Sequence, residues 1–194
     1  MTNVGDVRHA VEAGADAIGI IVAASSVRRV HTDEVGLLVA AAGGVTTVLV
    51  SAHQAPSDVL LIAEDAGFDW IQPHGQHQAA VLNLAAERGF GVLAPVRVTS
   101  GEIDLDQLAD DVTPLLDMHV EGFDGGTGVT FDWAPTKNIG RDFVLAGGLG
   151  PHNVQSAIMT ADPWGVDAVT MLESAPGIKN PAKVTSFIQK AKAL

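Results

Sequence analysis

The stretch Phe123-Asp-Gly-Gly-Thr-Gly-Val-Thr-Phe-Asp-Trp133 decides how this chain is read. It lies between two short apolar runs, Thr113–Asp117 and Phe143–Leu149. Gly125, Gly126 and Gly128 fall so close together that the backbone must turn sharply there or pass near another group. The loop follows Leu115-Leu116-Asp117, an apolar segment that ends in a carboxylate. In a parallel α/β protein the loops after the strands hold the chemistry, and such a carboxylate is a candidate acid or base. Taken alone, the same residues would also serve a hairpin-like connection rich in turn formers. The rest of the chain has to separate the two.

Working outward from that loop, apolar strand-like runs alternate with helical patterns. Ala17–Val22 is a continuous apolar run, as expected of a strand buried on both faces. Further strands are predicted at Thr46–Val50, Trp70–Gln72, Gly91–Val98, the run ending at Asp117, Phe143–Ala146 and Val166–Thr170. Helices are expected from Thr2 or Asn3 to Ala13, from Thr32 to Gly43, and over Ser57–Ala66, Gln78–Arg88, Asn153–Thr160 and Pro181–Lys192. Weaker helices fall at Asp104–Asp110 and Ala134–Ile139. Seven strands alternating with eight helical segments predict a parallel sheet, doubly wound or closed as a (βα) barrel, in a single domain over 1–194. Glycines at most strand ends favour the barrel. The first helix has no strand before it.

Composition narrows the function classes. A hydrophobic fraction of 47% over 194 residues suits one compact domain. There is no cysteine, hence no disulfide, thiolate metal site or cysteine nucleophile in these residues. No apolar run is long enough to span a bilayer, and the first ten residues are too polar for a signal peptide, so a cytoplasmic location is expected. A net charge of −12 speaks against nucleic acid. It also requires any small anionic substrate to be held by local dipoles against an unfavourable mean field.

Several residues follow predicted strands. Arg28, with Arg29, sits in the loop after the first strand and could pair a substrate carboxylate in bidentate fashion, or simply be solvated there. Gln72 and His74 lie at another strand end, in Gln72-Pro-His-Gly75. Asp117, directly after Pro-Leu-Leu, is partly desolvated as suits a general acid. Ala146-Gly-Gly-Leu-Gly150-Pro-His-Asn153 runs from a strand into a helix, where free N–H groups at Gly147 and Gly148 could bind phosphate. A plain helix entry would look similar.

Together, Ala13-Gly-Ala-Asp-Ala-Ile-Gly19, Ser26-Val-Arg-Arg-Val30, Ile71-Gln-Pro-His-Gly75, Leu115-Leu-Asp117, Gly125-Gly-Thr-Gly-Val-Thr-Phe-Asp-Trp133, Leu145-Ala-Gly-Gly-Leu149, Asn153-Val154 and Pro176-Gly-Ile-Lys179 resemble the phosphoribosylanthranilate isomerase family of tryptophan biosynthesis, end to end and in order. The resemblance implies a (βα)8 barrel and an Amadori rearrangement of an N-linked ribose phosphate to an amino-ketose. It implies Asp117 as the general acid on the furanose ring oxygen and Arg28 as the holder of the anthranilate carboxylate. Gln72, His74, Gly125 and Gly126 would line the substrate, and Gly147, Gly148, Thr170 and Met171 would take the phosphate. No metal or organic cofactor is implied, and the molecule would be a monomer or homodimer.

The chain departs from the family in three places. The family's first strand ends in Lys-x-Cys-Gly, whose cysteine is the general base, and Met1-Thr-Asn-Val-Gly-Asp6 aligns just after it. A barrel missing its first strand is therefore expected, with edges beside Ala17–Val22 and Val166–Thr170 to be covered by the N-terminal segment or a second chain. Ser26-Val27-Arg28 stands for Ser-Pro-Arg, and Val169-Thr-Met-Leu-Glu173 for Ser-Ser-Gly-Val-Glu, with Met171 in place of a glycine. His74 and Glu173 are candidate replacement bases. The competing expectation is a diverged barrel that binds a sugar phosphate, or another small anion, without isomerising it.

Overall fold

The computed structural model describes residues 1–98, 103, 105, 106, 108–117 and 133–194. Its elements run α1 (Val4–Glu12), β1 (Ala17–Ile21), α2 (Val35–Ala41), β2 (Thr46–Ala52), α3 (Pro56–Ala66), β3 (Trp70–His74), α4 (Gln78–Glu87), β4 (Gly91–Arg97), β5 (Thr113–Asp117), β6 (Val144–Ala146), α5 (Val154–Ala161), β7 (Gly165–Val166), β8 (Glu173–Ala175), β9 (Ile178–Lys179) and α6 (Pro181–Ala191). Short 3-10 turns occupy Ala134–Asn138 and Thr170–Leu172.

Local signals explain the boundaries. Asn3 caps α1 by accepting from the Asp6 amide at 2.8 Å, and Asn180 caps α6 by accepting from Lys183 at 3.1 Å. Pro56 and Pro181 open their helices, where a missing N–H costs nothing. Two expectations fail. The described residues between Asp104 and Asp110 are turns and irregular chain, not a helix. The last parallel strand stops at Val166 instead of reaching Thr170, because its partner β6 has only three residues to pair with.

Strands β1 to β7 form one parallel sheet in sequence order, and β8–β9 is a small antiparallel hairpin. Side-chain alternation splits the apolar residues between two faces. Ile18, Ile20, Leu49, Ile71, Leu116 and Leu145 are almost wholly buried against Val7, Val59, Val81 and Val154 of the helices. The opposite face carries a smaller cluster of Val48, Leu93, Leu115, Val144 and Ala146, with Val50 and Trp70 beside it.

That second face closes on itself. The indoles of Trp70, on β3, and Trp164, just before β7, stack with centroids 6.4 Å apart. In a flat sheet, strands four places apart would lie roughly 19 Å from each other. Arg28, after β1, likewise pairs with Glu173, after β7, which joins the two ends of the sheet. The sheet is therefore curled in the manner of a TIM barrel, with seven parallel strands among the described residues. Gly91 makes room for the stack: a Cβ there would lie 2.3 Å from the Trp70 ring.

At the seam, the Met1 amine donates to the Gly19 carbonyl and the Thr2 hydroxyl donates to the Gly177 carbonyl. The first residues thus reach from the edge of β1 to the β8–β9 hairpin. Ala17 and Gly19 of β1 remain exposed, unlike the inward residues of the central strands. Among the described residues, no helix is long and apolar enough to cross a membrane.

Candidate active site

A parallel sheet brings every strand's C-terminal end to one rim. His74 ends β3, Asp117 ends β5, and Gly147 and Gly148 follow β6 directly. The loop bearing Arg28 follows β1, and Asp167 follows β7.

Asp117 is in register with Arg97 on one side and Ala146 on the other. The Asp167 amide donates to the Leu145 carbonyl at 2.9 Å, continuing the β6–β7 ladder and setting Asp167 level with Ala146. Burial pushes the Asp167 carboxyl above its ordinary range; Lys179 and the Met1 amine pull it down, and the charge on Asp117 pushes it up again. Burial also holds the His74 imidazole below its usual value, against a smaller opposing pull from Asp117. His74 is therefore neutral at pH 7. Gln72 Nε2 lies 2.9 Å from His74 Nε2. Gly75, at φ +83°, lets the His53 ring lie where a Cβ would stand, 2.5 Å away.

Across the rim, Arg28 makes a two-point pair with Glu173: Nε donates to Oε1 and Nη2 to Oε2, both at 2.8 Å. Lys179 Nζ lies 3.5 Å from Glu173 Oε1 and donates to the Val169 carbonyl at 2.9 Å. Burial alone would push the Glu173 carboxyl up, but its hydrogen bonds with Arg28 and the charge on Lys179 outweigh that and hold it below its ordinary value. With both oxygens on cations, Glu173 is unsuited to be a replacement base.

The glycine loop is built for close approach. Gly147 and Gly148 have φ of +90° and +62°, which a residue with a side chain would adopt only under strain. Asn153 pins the loop, its Oδ1 accepting from the Gly150 amide at 2.8 Å and its Nδ2 donating to the Gly148 carbonyl at 3.1 Å. Thr170 and Met171 lie on the 3-10 turn that follows Val169, not on a strand. A Cβ on Gly150 would sit 2.9 Å from the Met171 Cβ, so this turn and the glycine loop touch.

The structure thus brings His74, Gln72 and Asp117 to one side of the rim, and Gly147 and Gly148 against the turn carrying Thr170 and Met171. Arg28 stands at the seam. Gly125 and Gly126 lie outside the described residues. Sequence reasoning gave no role to Asp167 or Lys179. The signal for Asp167 was available, since a carboxylate after Gly165-Val166 stands at a strand end just as Asp117 does. Lys179 carried only the motif Pro176-Gly-Ile-Lys179.

A family model described as N-(5'-phosphoribosyl)anthranilate (PRA) isomerase matches residues 1–190. The N-(5'-phosphoribosyl)anthranilate isomerase of Rubrobacter xylanophilus is 37% identical over 198 residues, an alignment covering 100% of this chain and 96% of that protein. The crystal structure of phosphoribosyl anthranilate isomerase from Thermotoga maritima superposes with a TM-score of 0.89 at 32% identity, covering 100% of this chain and 96% of the other. A structure of such an isomerase in complex with reduced 1-(o-carboxyphenylamino)-1-deoxyribulose 5-phosphate matches at a TM-score of 0.85 and 30% identity, with the same 100% and 96% coverage.

Proposed function

The chain belongs to the N-(5'-phosphoribosyl)anthranilate isomerase family, and from that premise we propose how its residues divide the work. The reaction is the Amadori rearrangement of N-(5'-phosphoribosyl)anthranilate to the amino-ketose, a step of tryptophan biosynthesis. Asp117 gives its proton to the furanose ring oxygen as the bond from that oxygen to C1′ breaks, and the anilino nitrogen's lone pair closes the C1′ iminium. Loss of the C2′ proton then gives an enol, which collapses to the ketone at C2′.

Arg28 takes the anthranilate carboxylate. Glu173 uses the Nε–Nη2 side of the guanidinium, so a second fork of donors is left over. Gln72 and His74 line the ribose and the ring. The phosphate rests on the amides of Gly147 and Gly148 and of the turn at Thr170 and Met171, which supply the local positive dipoles that a chain of net charge −12 needs. In the family the C2′ proton goes to the cysteine of Lys-x-Cys-Gly, whose strand would lie beside β1.

The observation that carries this reading is the gathering of Asp117, Arg28 and the Gly147–Gly148 loop at the same end of one curled parallel sheet. The test is turnover of N-(5'-phosphoribosyl)anthranilate. Asp117→Asn lowers kcat by roughly 10²–10⁴-fold, whereas Arg28→Ala acts mainly on KM. Equal turnover by Asp117→Asn and the parent rejects the acid role. A parent that binds the reduced product analogue and never isomerises the substrate supports a purely anion-binding barrel instead.

A further inference from the structure

We infer that Lys179 is a positioning residue that ties the carboxylate end of the cleft to its phosphate end. The inference rests on the site reading above. The Lys179 side chain is only 7% exposed. A buried ammonium is costly to desolvate, and here burial holds its pKa below the usual lysine value. Its contacts run in two directions.

Toward the seam it meets the Glu173 carboxylate, whose two oxygens grip Arg28. Glu173 is held from behind as well, because Lys183 Nζ donates to its carbonyl at 2.9 Å. Arg28 is long and rotamer-rich, so an end-on fork for a second carboxylate is useful only if something fixes its guanidinium plane. Glu173 does this, and Lys179 fixes Glu173. Toward β6, Lys179 donates to the Val169 carbonyl. That carbonyl also accepts from the Leu172 amide and closes the turn bearing Thr170 and Met171. One cation therefore sets both the plane of Arg28 and the start of the turn packed on the glycine loop. Lys179 itself is fixed from α1, where the Asp6 carboxylate accepts from its backbone amide at 2.9 Å.

A merely structural lysine would weaken all ligands alike or none, whereas this arrangement predicts a selective pattern. The probes are reduced 1-(o-carboxyphenylamino)-1-deoxyribulose 5-phosphate, which carries both ends, and ribose 5-phosphate, which lacks the aromatic carboxylate. Each is titrated calorimetrically into the parent, Glu173→Gln, Lys179→Met and the double variant, with circular dichroism to confirm folding. Glu173→Gln is expected to weaken the carboxyphenyl ligand by about tenfold or more and to leave ribose 5-phosphate unchanged. Lys179→Met weakens both ligands, and the carboxyphenyl ligand by the larger factor, since that ligand alone uses both ends. The double variant binds the carboxyphenyl ligand less weakly than the product of the single losses, since Lys179 acts through Glu173 at that end.

Equal losses for the two ligands in Glu173→Gln, or unchanged binding in both single variants, overturn the inference. Should Lys179→Met fail to fold, Lys179→Arg, which keeps the charge and changes its reach, takes its place, and equal losses for the two ligands there overturn the inference. A parent that binds neither ligand overturns the site reading itself, before any variant is compared.

Discussion

Asp117 and Asp167 stand on either side of Ala146, on one face of the sheet and at one level of the rim. Burial holds the Asp167 carboxyl above its ordinary range, and the charge on Asp117 adds to that. A carboxyl whose folded pKa exceeds its unfolded value favours the protonated state in the fold. Its contribution to stability is full below the unfolded carboxylate pKa and is lost as pH rises toward the folded one. Asp167→Asn removes that loss. The variant should unfold at a higher denaturant midpoint than the parent at neutral pH, with the gain shrinking as pH falls toward the ordinary carboxylate range. A gain that persists unchanged at acid pH would show that ionisation of Asp167 is not its source.

Met171 occupies the turn position where the family carries a glycine, and its Cβ lies against Gly150. The methionine side chain takes up space beside amides that would face a phosphate. Met171→Gly should therefore tighten ribose 5-phosphate binding, read directly by titration. Unchanged or weaker affinity would mean that the phosphate avoids this turn.

Gly91 lies under the Trp70 ring with no space for a methyl group. Gly91→Ala must displace the indole or the strand and should destabilise, by less than the ~1–3 kcal/mol typical of overpacking a buried core, because Gly91 and Trp70 are only partly buried. Urea unfolding at neutral pH measures it. A midpoint equal to the parent's would show that the indole moves aside freely.

The seam beside β1 yields the fourth prediction. The Met1 amine sits at the Gly19 carbonyl, so residues joined ahead of Met1 would run along the free edge of β1. A polypeptide of residues 1–194 should isomerise N-(5'-phosphoribosyl)anthranilate slowly. One carrying a Lys-x-Cys-Gly strand ahead of Thr2 should gain roughly 10²–10⁴-fold, the contribution typical of a positioned base. It should also melt at a higher temperature, because strand edges become paired. A Cys→Ala control keeps the added stability and loses the rate. Full turnover by residues 1–194 alone would defeat the prediction and point to His74, which burial keeps neutral.

The strands and their endings were legible because they are local: Leu115-Leu116-Asp117 and Leu145-Ala146-Gly147 announce a buried run and its exit within a few residues. Val166-Asp167-Ala168-Val169 misled because it alternates like a strand while β6 is too short to pair with all of it. Local pattern cannot register a partner's length. The Arg28–Glu173 pair spans 145 residues and depends on the sheet curling, which no neighbouring residue encodes. Lys179 was hidden for the same reason, since its role comes from what the curl brings to it.

The stacked indoles at the floor give the molecule a built-in optical gauge. Trp70 lies on β3 and Trp164 just before β7, four strands along the sheet, so their stacking exists only when the sheet has curled. Two indoles with centroids 6.4 Å apart couple their electronic transitions and produce a paired circular dichroism band that separated rings lack. Curling of the sheet can thus be timed during refolding without substrate, separately from helix formation. Because such long-range contacts are slow to form, that band should be among the last signals to mature.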